Sequence, residues 1–92
     1  MADALRLHVF FSGYVQGVGF RFTTRHIARD FKVCGFVRNL PDGRVELVAE
    51  GAPEEVRRFV ARVRETMRHY IHKVDLTEEP ATGEFDAFRI AY

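Results

Sequence analysis

Three glycines within seven residues, lying between an alternating apolar run and a helix-like run, constrain this chain more than any other feature. The segment reads Gly13-Tyr14-Val15-Gln16-Gly17-Val18-Gly19-Phe20-Arg21. Glycine leaves backbone N–H groups unshielded by a side chain, and a helix that begins directly afterwards adds its own unpaired N–H groups and the positive end of its dipole. Because Arg21 then supplies a planar guanidinium, the segment predicts a small oxyanion site of phosphate size.

Hydrophobic periodicity predicts an alternation of strands and helices along the whole chain. The expected elements, in order, are a strand over 5–11, a helix over 20–31, strands over 33–40 and 44–50, a helix from Pro53 to Met67, and strands over 71–79 and 85–92. The turn Pro41-Asp42-Gly43 joins the second and third strands, with glycine free to take a left-handed conformation. Residues 80–83 are expected to form a loop.

This order of elements predicts an α+β fold, the ferredoxin-like α/β sandwich (βαββαβ), with two helices on one face of an antiparallel sheet. A chain of 92 residues holds one compact core, so residues 1–92 are expected to form a single domain. Many functions occur on this fold, and the function must therefore be argued from the site.

Composition indicates which cellular compartment and which classes of partner to expect. The formal net charge is +1, with 14 basic and 13 acidic residues interspersed, which disfavours nucleic-acid binding. Cys34 is the only cysteine, so no internal disulfide can form, and a reducing compartment is expected. No apolar run approaches the length of a membrane span, and residues 1–4 lack the charged and apolar regions of a signal peptide. A cytoplasmic location without membrane attachment is the expectation.

Two side chains are candidates for the site. Arg21 can bind two phosphate oxygens at once through its guanidinium, or it can be an ordinary solvated arginine such as Arg25 or Arg29. Asn39 shares a predicted strand face with buried apolar residues, where its amide could position a water molecule. Alternatively, Asn39 initiates the turn that follows it.

Other chemistry finds little support in the sequence. There is no nucleoside-triphosphate loop motif, Cys34 is expected to be a packing thiol, and His69 and His72 are expected to be surface residues and not metal ligands. No nucleophile is paired with a base. A site of this kind can accelerate only an intrinsically labile reaction, for which carboxylic–phosphoric anhydrides and other labile phosphates both qualify.

Two segments resemble the signatures of the acylphosphatase family. The glycine segment resembles the first signature. The second signature corresponds to a segment on the predicted second and third strands, which resembles it at Gly35-Phe36-Val37-Arg38-Asn39 and then at Asp42-Gly43-x-Val45-Glu46. Both occur in the right order, and the resemblance extends over nearly the whole chain.

The resemblance implies a small standalone enzyme that hydrolyses acyl phosphates to carboxylate and phosphate, without metal, cofactor or covalent phosphoenzyme. Arg21 would bind the phosphate, and Asn39 would orient the attacking water. The backbone amides implied in phosphate binding are those of Gln16, Gly17, Val18, Gly19, Phe20 and Arg21. A substrate phosphate oxygen would accept the proton. A small acyl phosphate is then the expected partner, and a monomer is the expected state.

The sequence departs from the family pattern in two places. Tyr14 occupies a position that is often basic, which would weaken long-range attraction for anionic substrates. Residues 67–72, Met-Arg-His-Tyr-Ile-His, replace a segment that commonly reads Gly-Pro-x-x-Ala-x-Val, and this change would alter the rim of the cleft or an oligomer contact.

Two other functions stay open at this point. The ferredoxin-like fold also carries RNA-recognition modules, but residues 35–38 match only a fragment of their aromatic motif. Acylphosphatase-like domains also occur as accessory domains that handle carbamoyl phosphate inside larger maturation enzymes. A chain that ends at Tyr92 without a linker favours a standalone protein.

Overall fold

A computed structural model describes residues 4–92 and contains five strands and two helices. They are β1 (Leu5–Gly13), α1 (Phe20–Ala28), β2 (Val33–Asn39), β3 (Val45–Gly51), α2 (Pro53–Thr66), β4 (Ile71–Pro80) and β5 (Phe88–Ile90). Residues 1–3, which belong to the segment used above to argue against a signal peptide, lie outside the described part. Neither helix within residues 4–92 has the length and apolar character needed to cross a bilayer.

The strands form one sheet in the order β4-β1-β3-β2-β5. The four longer strands pair antiparallel, as predicted, whereas β5 pairs parallel to β2. It follows that β1, β2 and β5 finish at the same end of the sheet, where β3 and β4 begin. We call this the loop end, and the opposite end the crossover end. The arrangement is ferredoxin-like, with β5 as an added parallel edge.

The core lies between the two helices and one face of the sheet, as the apolar periodicity predicts. Its most completely buried members are Val9, Phe11, Val15, Phe20, Val37, Val45, Leu47, Val56, Phe59 and Val63. Burying each large apolar side chain contributes about 1.5–3 kcal/mol, so this one layer supplies most of the driving force for folding. Met67 is also buried, and the apolar stripe of α2 therefore continues past the last helical residue.

The central strand β3 is buried on both faces, which the sequence pattern does not predict. Glu46 is only 6% exposed on the face that the helices do not cover. It accepts hydrogen bonds from Arg38 Nε at 2.5 Å and from His8 Nε2 at 2.6 Å. Burial alone would raise the pKa of Glu46, but these two partners hold that pKa below its ordinary value. Neighbouring strands thus provide the donors that a buried carboxylate needs.

The chain crosses the sheet between β4 and β5, which lie at opposite edges. Glu50, 2% exposed, anchors this crossover by accepting hydrogen bonds from Thr82 N–H (3.0 Å), the Thr82 hydroxyl (2.9 Å) and Gly83 N–H (3.0 Å). Phe85 packs on Phe36, with ring centroids 5.9 Å apart. Because these contacts hold the segment across the open face, the last strand begins at Phe88 and not at Phe85 as predicted.

Replacement of Glu50 by glutamine should destabilise the protein in a pH-dependent way. Burial would raise the pKa of this carboxyl, yet hydrogen bonds from Thr82 and Gly83 and the charge of Arg6 hold the pKa below its ordinary 4.5. A lowered folded-state pKa adds stability above the unfolded-state pKa, and that stability is lost as the pH falls through the folded-state value. We expect Glu50→Gln to lower the free energy of unfolding by about 1.5–3 kcal/mol at pH 7.

Urea unfolding of both proteins at pH 7 and below pH 4.5 measures this difference, which should shrink on acidification. Asp30→Asn, at an exposed carboxylate, is the matched control and should show little change at either pH. A Glu50→Gln penalty that is equally large at both pH values would contradict the assigned anchor.

Candidate functional site

The glycine loop, residues 14–19, lies at the loop end between β1 and α1. Gly17 and Gly19 have φ of +79° and +77°, a left-handed conformation that other residues rarely adopt, and Gly19 is the N-cap of α1. Val15 is fully buried and fixes the loop to the core. Within residues 4–92, none of the backbone N–H groups from Gln16 to Arg21 donates to a protein acceptor. The predicted row of amide donors is therefore available to an anion.

The Gln16 side chain ties the glycine loop to the turn after β2. Its Nε2 donates to the carbonyl oxygens of Leu40 and Arg44 at 2.8 and 2.9 Å. Leu40 N–H also donates to the Arg44 carbonyl oxygen at 2.8 Å, which closes the turn. The sequence predicts a role only for the backbone amide of Gln16 and gives no indication of these side-chain hydrogen bonds. No local pattern reveals them, because the partners lie 24 and 28 residues away.

Asn39 is the last residue of β2 and is partly buried, in register with Val45. It continues the helix-facing alternation of Gly35 and Val37, both of which are buried as predicted. The hydrogen bonds that close the turn begin one residue later, at Leu40. In residues 4–92, the Asn39 carboxamide has no hydrogen-bond partner, and its side chain does not take part in closing the turn.

Arg21 lies on the first turn of α1 and is partly exposed. Unlike Arg6 and Arg38, which form ion pairs with carboxylates, Arg21 forms none with a described residue. Its guanidinium carbon lies 5.2 Å from the ring centroid of Tyr92, within range of a cation–π contact. This leaves its positive charge available to an anion.

Two contacts connect the glycine loop and Arg21 to the chain on either side of Asn39. Gln16 reaches the carbonyl oxygen of Leu40, the residue that follows Asn39. On the other side, Ala91 N–H donates to the Val37 carbonyl oxygen at 2.9 Å, and the next residue, Tyr92, contacts Arg21. All the residues that the sequence predicts for the site therefore lie at the loop end of the sheet.

The turn beside the site is locally neutral. Asp42 accepts hydrogen bonds from the Arg44 backbone N–H at 3.1 Å and from its Nε at 2.8 Å. These contacts, the backbone one first, hold the pKa of Asp42 below its ordinary value. Arg44 also lies over the Phe10 ring at 4.6 Å. Since Asp42 and Arg44 compensate each other, the turn adds little net charge to the anion site.

The two departures from the family pattern are in contact with each other. Tyr14 N–H donates to the Tyr70 carbonyl oxygen at 2.9 Å. The Tyr14 ring meets the His72 ring edge-to-face, with centroids 5.3 Å apart at 89°. Both His69 and His72 are exposed, as the sequence predicts. The altered segment thus contributes to the rim of the glycine loop.

Comparison with known proteins decides the family. The family model described as Acylphosphatase matches residues 7–90.

The chain belongs to the acylphosphatase family.

It is 51% identical over 88 residues to the acylphosphatase of Syntrophus aciditrophicus, covering 95% of this chain and 92% of that relative. It matches the crystal structure of acylphosphatase from Bacillus subtilis with a TM-score of 0.85 and 32% identity, over 96% and 99% of the two chains. The structure of HypF from T. kodakarensis also matches, with a TM-score of 0.79 and 30% identity over 94% of this chain but 12% of that one.

Family membership identifies the chain as an acylphosphatase enzyme, as the two signatures predict, and implies the hydrolysis of acyl phosphates. The fold of this family member matches that of the bacterial enzyme along almost its whole length.

In this family member, Gln16→Ala should lower both stability and activity. The substitution removes two hydrogen bonds that join the loop to the turn, so we expect the free energy of unfolding to fall by about 1–2 kcal/mol. The amide row also becomes less ordered, which should lower kcat/KM for an acyl phosphate.

Gln16→Glu is the informative companion variant, because a carboxylate oxygen in place of Nε2 would face both carbonyl oxygens and could donate to neither. It should be more damaging than Gln16→Ala at pH 7. Urea unfolding and steady-state kinetics measure both effects. We call the two hydrogen bonds from Gln16 Nε2 to Leu40 and Arg44 the Gln16 clamp. Wild-type stability and wild-type kcat/KM in Gln16→Ala would show that this clamp is dispensable.

Proposed function

We propose that the chain hydrolyses acyl phosphates without a metal ion, within one catalytic domain. The phosphoryl group is held by the backbone amides of Gln16 to Arg21 and by the Arg21 guanidinium, and Asn39 orients the attacking water. The observation that carries this proposal is the Gln16 clamp, since it fixes the row of amide donors beside the end of the strand that carries Asn39. A single copy of the chain supplies every group that the proposal needs.

Phosphate binding depends on backbone N–H donors that have no acceptor among the described residues. The amides from Gln16 to Arg21 have no protein acceptor among the described residues, and Phe20 and Arg21 lie at the positive end of α1. A phosphate dianion gains charge-assisted hydrogen bonds from all of them. The guanidinium of Arg21 adds a planar pair of N–H donors that matches two phosphate oxygens.

The chemical step is a transfer of the phosphoryl group to water. The water oxygen, held by the Asn39 carboxamide, attacks phosphorus in line with the leaving carboxylate. The bond between phosphorus and the bridging oxygen breaks, the carboxylate leaves with the electron pair, and a phosphate oxygen accepts the proton from water. Because a carboxylate is a stable leaving group, no general acid is required.

The rate enhancement comes from electrostatic preorganisation. In a loose transition state the charge spreads over the three equatorial oxygens of the phosphoryl group. Fixed amides and Arg21 stabilise that charge without rearranging, and losing one such donor typically costs about 10²–10³ in rate. These N–H donors take the role that a divalent ion has in other phosphoryl-transfer enzymes.

Substitution of the two side chains should separate binding from turnover. We expect Asn39→Ala to lower kcat for benzoyl phosphate by at least about 100-fold while retaining affinity for inorganic phosphate. Arg21→Ala should lose both turnover and phosphate binding. Kinetics and calorimetric titration with inorganic phosphate measure these effects.

Arg25→Ala, at an exposed arginine one turn further along α1, is the matched control and should keep both properties. Normal phosphate affinity in Arg21→Ala would remove the role assigned to Arg21. Weak phosphate binding by Asn39→Ala would likewise contradict a role limited to water.

Treatment with a chelator should leave the activity unchanged, because amides and a guanidinium supply the positive charge. The measurement is hydrolysis of benzoyl phosphate before and after dialysis against EDTA, followed by addition of Mg²⁺, Mn²⁺ or Zn²⁺. A rate that collapses with chelator and returns with metal would exclude the metal-free mechanism.

A further inference from the structure

We propose that the Tyr14 ring, held in place by His72, is the surface on which the acyl group of the substrate packs. Tyr14 would then make the enzyme favour aromatic acyl phosphates over small ones. This inference rests on the proposed function, because it requires the phosphoryl group to be bound in the glycine loop.

The position of Tyr14 is fixed by close approach of β1 to β4. A Cβ on Gly13 would lie 2.5 Å from the Tyr70 carbonyl oxygen and 2.8 Å from the His72 nitrogen, so only glycine permits this distance. The close approach allows Tyr14 N–H to donate to the Tyr70 carbonyl oxygen at 2.9 Å. The backbone of Tyr14 is therefore attached to the start of β4.

The ring of Tyr14 is oriented as well, yet it stays open to solvent. Its edge-to-face contact with His72, at 5.3 Å and 89°, is the geometry that aromatic pairs prefer. The side chain is nevertheless 74% exposed. An aromatic surface that is ordered before binding loses little conformational entropy when a ligand packs on it. Such a surface is suited to an apolar group.

The glycine loop places this ring within reach of the acyl group. The Cα atoms of Tyr14 and Gln16 are two residues apart and can be separated by at most about 7 Å. In an acyl phosphate, one bridging oxygen joins the phosphorus to the acyl carbon. A substrate whose phosphoryl group is bound to the amides from Gln16 onward therefore brings its acyl group within reach of the rim, to which Tyr14 belongs.

Two other exposed aromatic residues, Tyr92 and Phe22, contact arginine side chains. Tyr92 contacts the Arg21 guanidinium and would influence phosphate binding for every substrate. The Phe22 ring lies 5.9 Å from the Arg25 guanidinium carbon, on the outer side of α1. Among the described residues, the Tyr14 ring contacts neither a proposed catalytic side chain nor an arginine or lysine. It can therefore discriminate between acyl groups while the phosphate site stays unchanged.

The test compares kcat/KM for benzoyl phosphate and acetyl phosphate in the wild type, Tyr14→Ala, Tyr14→Phe and His72→Ala. We expect Tyr14→Ala to lose about 3- to 10-fold in kcat/KM for benzoyl phosphate, mainly through KM, and less than about 2-fold for acetyl phosphate. Tyr14→Phe should retain the wild-type ratio, and His72→Ala should lie between the two. Competitive inhibition by inorganic phosphate should be the same in all four proteins.

Leu76→Ala, at another exposed large apolar side chain away from the loop end, is the control and should not change the ratio. Equal losses on both substrates in Tyr14→Ala, with weakened inhibition by phosphate, would show that Tyr14 only supports the loop and would overturn the inference. An unchanged ratio would overturn it too. Failure of the wild type to hydrolyse either substrate would instead overturn the proposed function, and this inference with it.

Discussion

The side-chain amide of Gln16 is the contact on which the rest of the site depends. Both of its hydrogens are used, one on each of two carbonyl oxygens in the turn after β2. A loop with left-handed glycines has many accessible conformations in isolation, and ordering it opposes binding. Because the clamp orders the loop during folding, a bound phosphoryl group meets donors that are already in place. This turns a flexible sequence into a preorganised anion site.

The two ends of the sheet differ in whether their polar groups are paired within the protein. At the crossover end, the buried carboxylate of Glu50 is satisfied by Thr82 and Gly83. At the loop end, the amides from Gln16 to Arg21 have no protein acceptor among the described residues. The hydrogen bonds of Glu50 therefore hold the crossover in place, while the loop end retains free donors for a ligand.

The sequence predicts the features that depend on near neighbours. Alternation and helical spacing predict the order of the elements, and the glycine segment predicts unshielded backbone N–H groups directly before and at the start of α1. Contacts between distant residues lie beyond such reasoning. The partners of Gln16, the burial of Glu46 and the parallel pairing of β5 all depend on which strands become neighbours, and no local pattern encodes that choice.

The pairing of β1 with β4 has a consequence for the kinetics of folding. Leu5 pairs with Pro80 and Ser12 with Lys73, so the strand partners are separated by most of the chain. Closing so long a loop costs entropy before the contacts can repay it, and domains rich in distant pairings reach their native state slowly. The hydrogen bond that joins Tyr14 to Tyr70 forms only after this closure. During synthesis, the glycine loop therefore reaches its final arrangement only after β4 has left the ribosome.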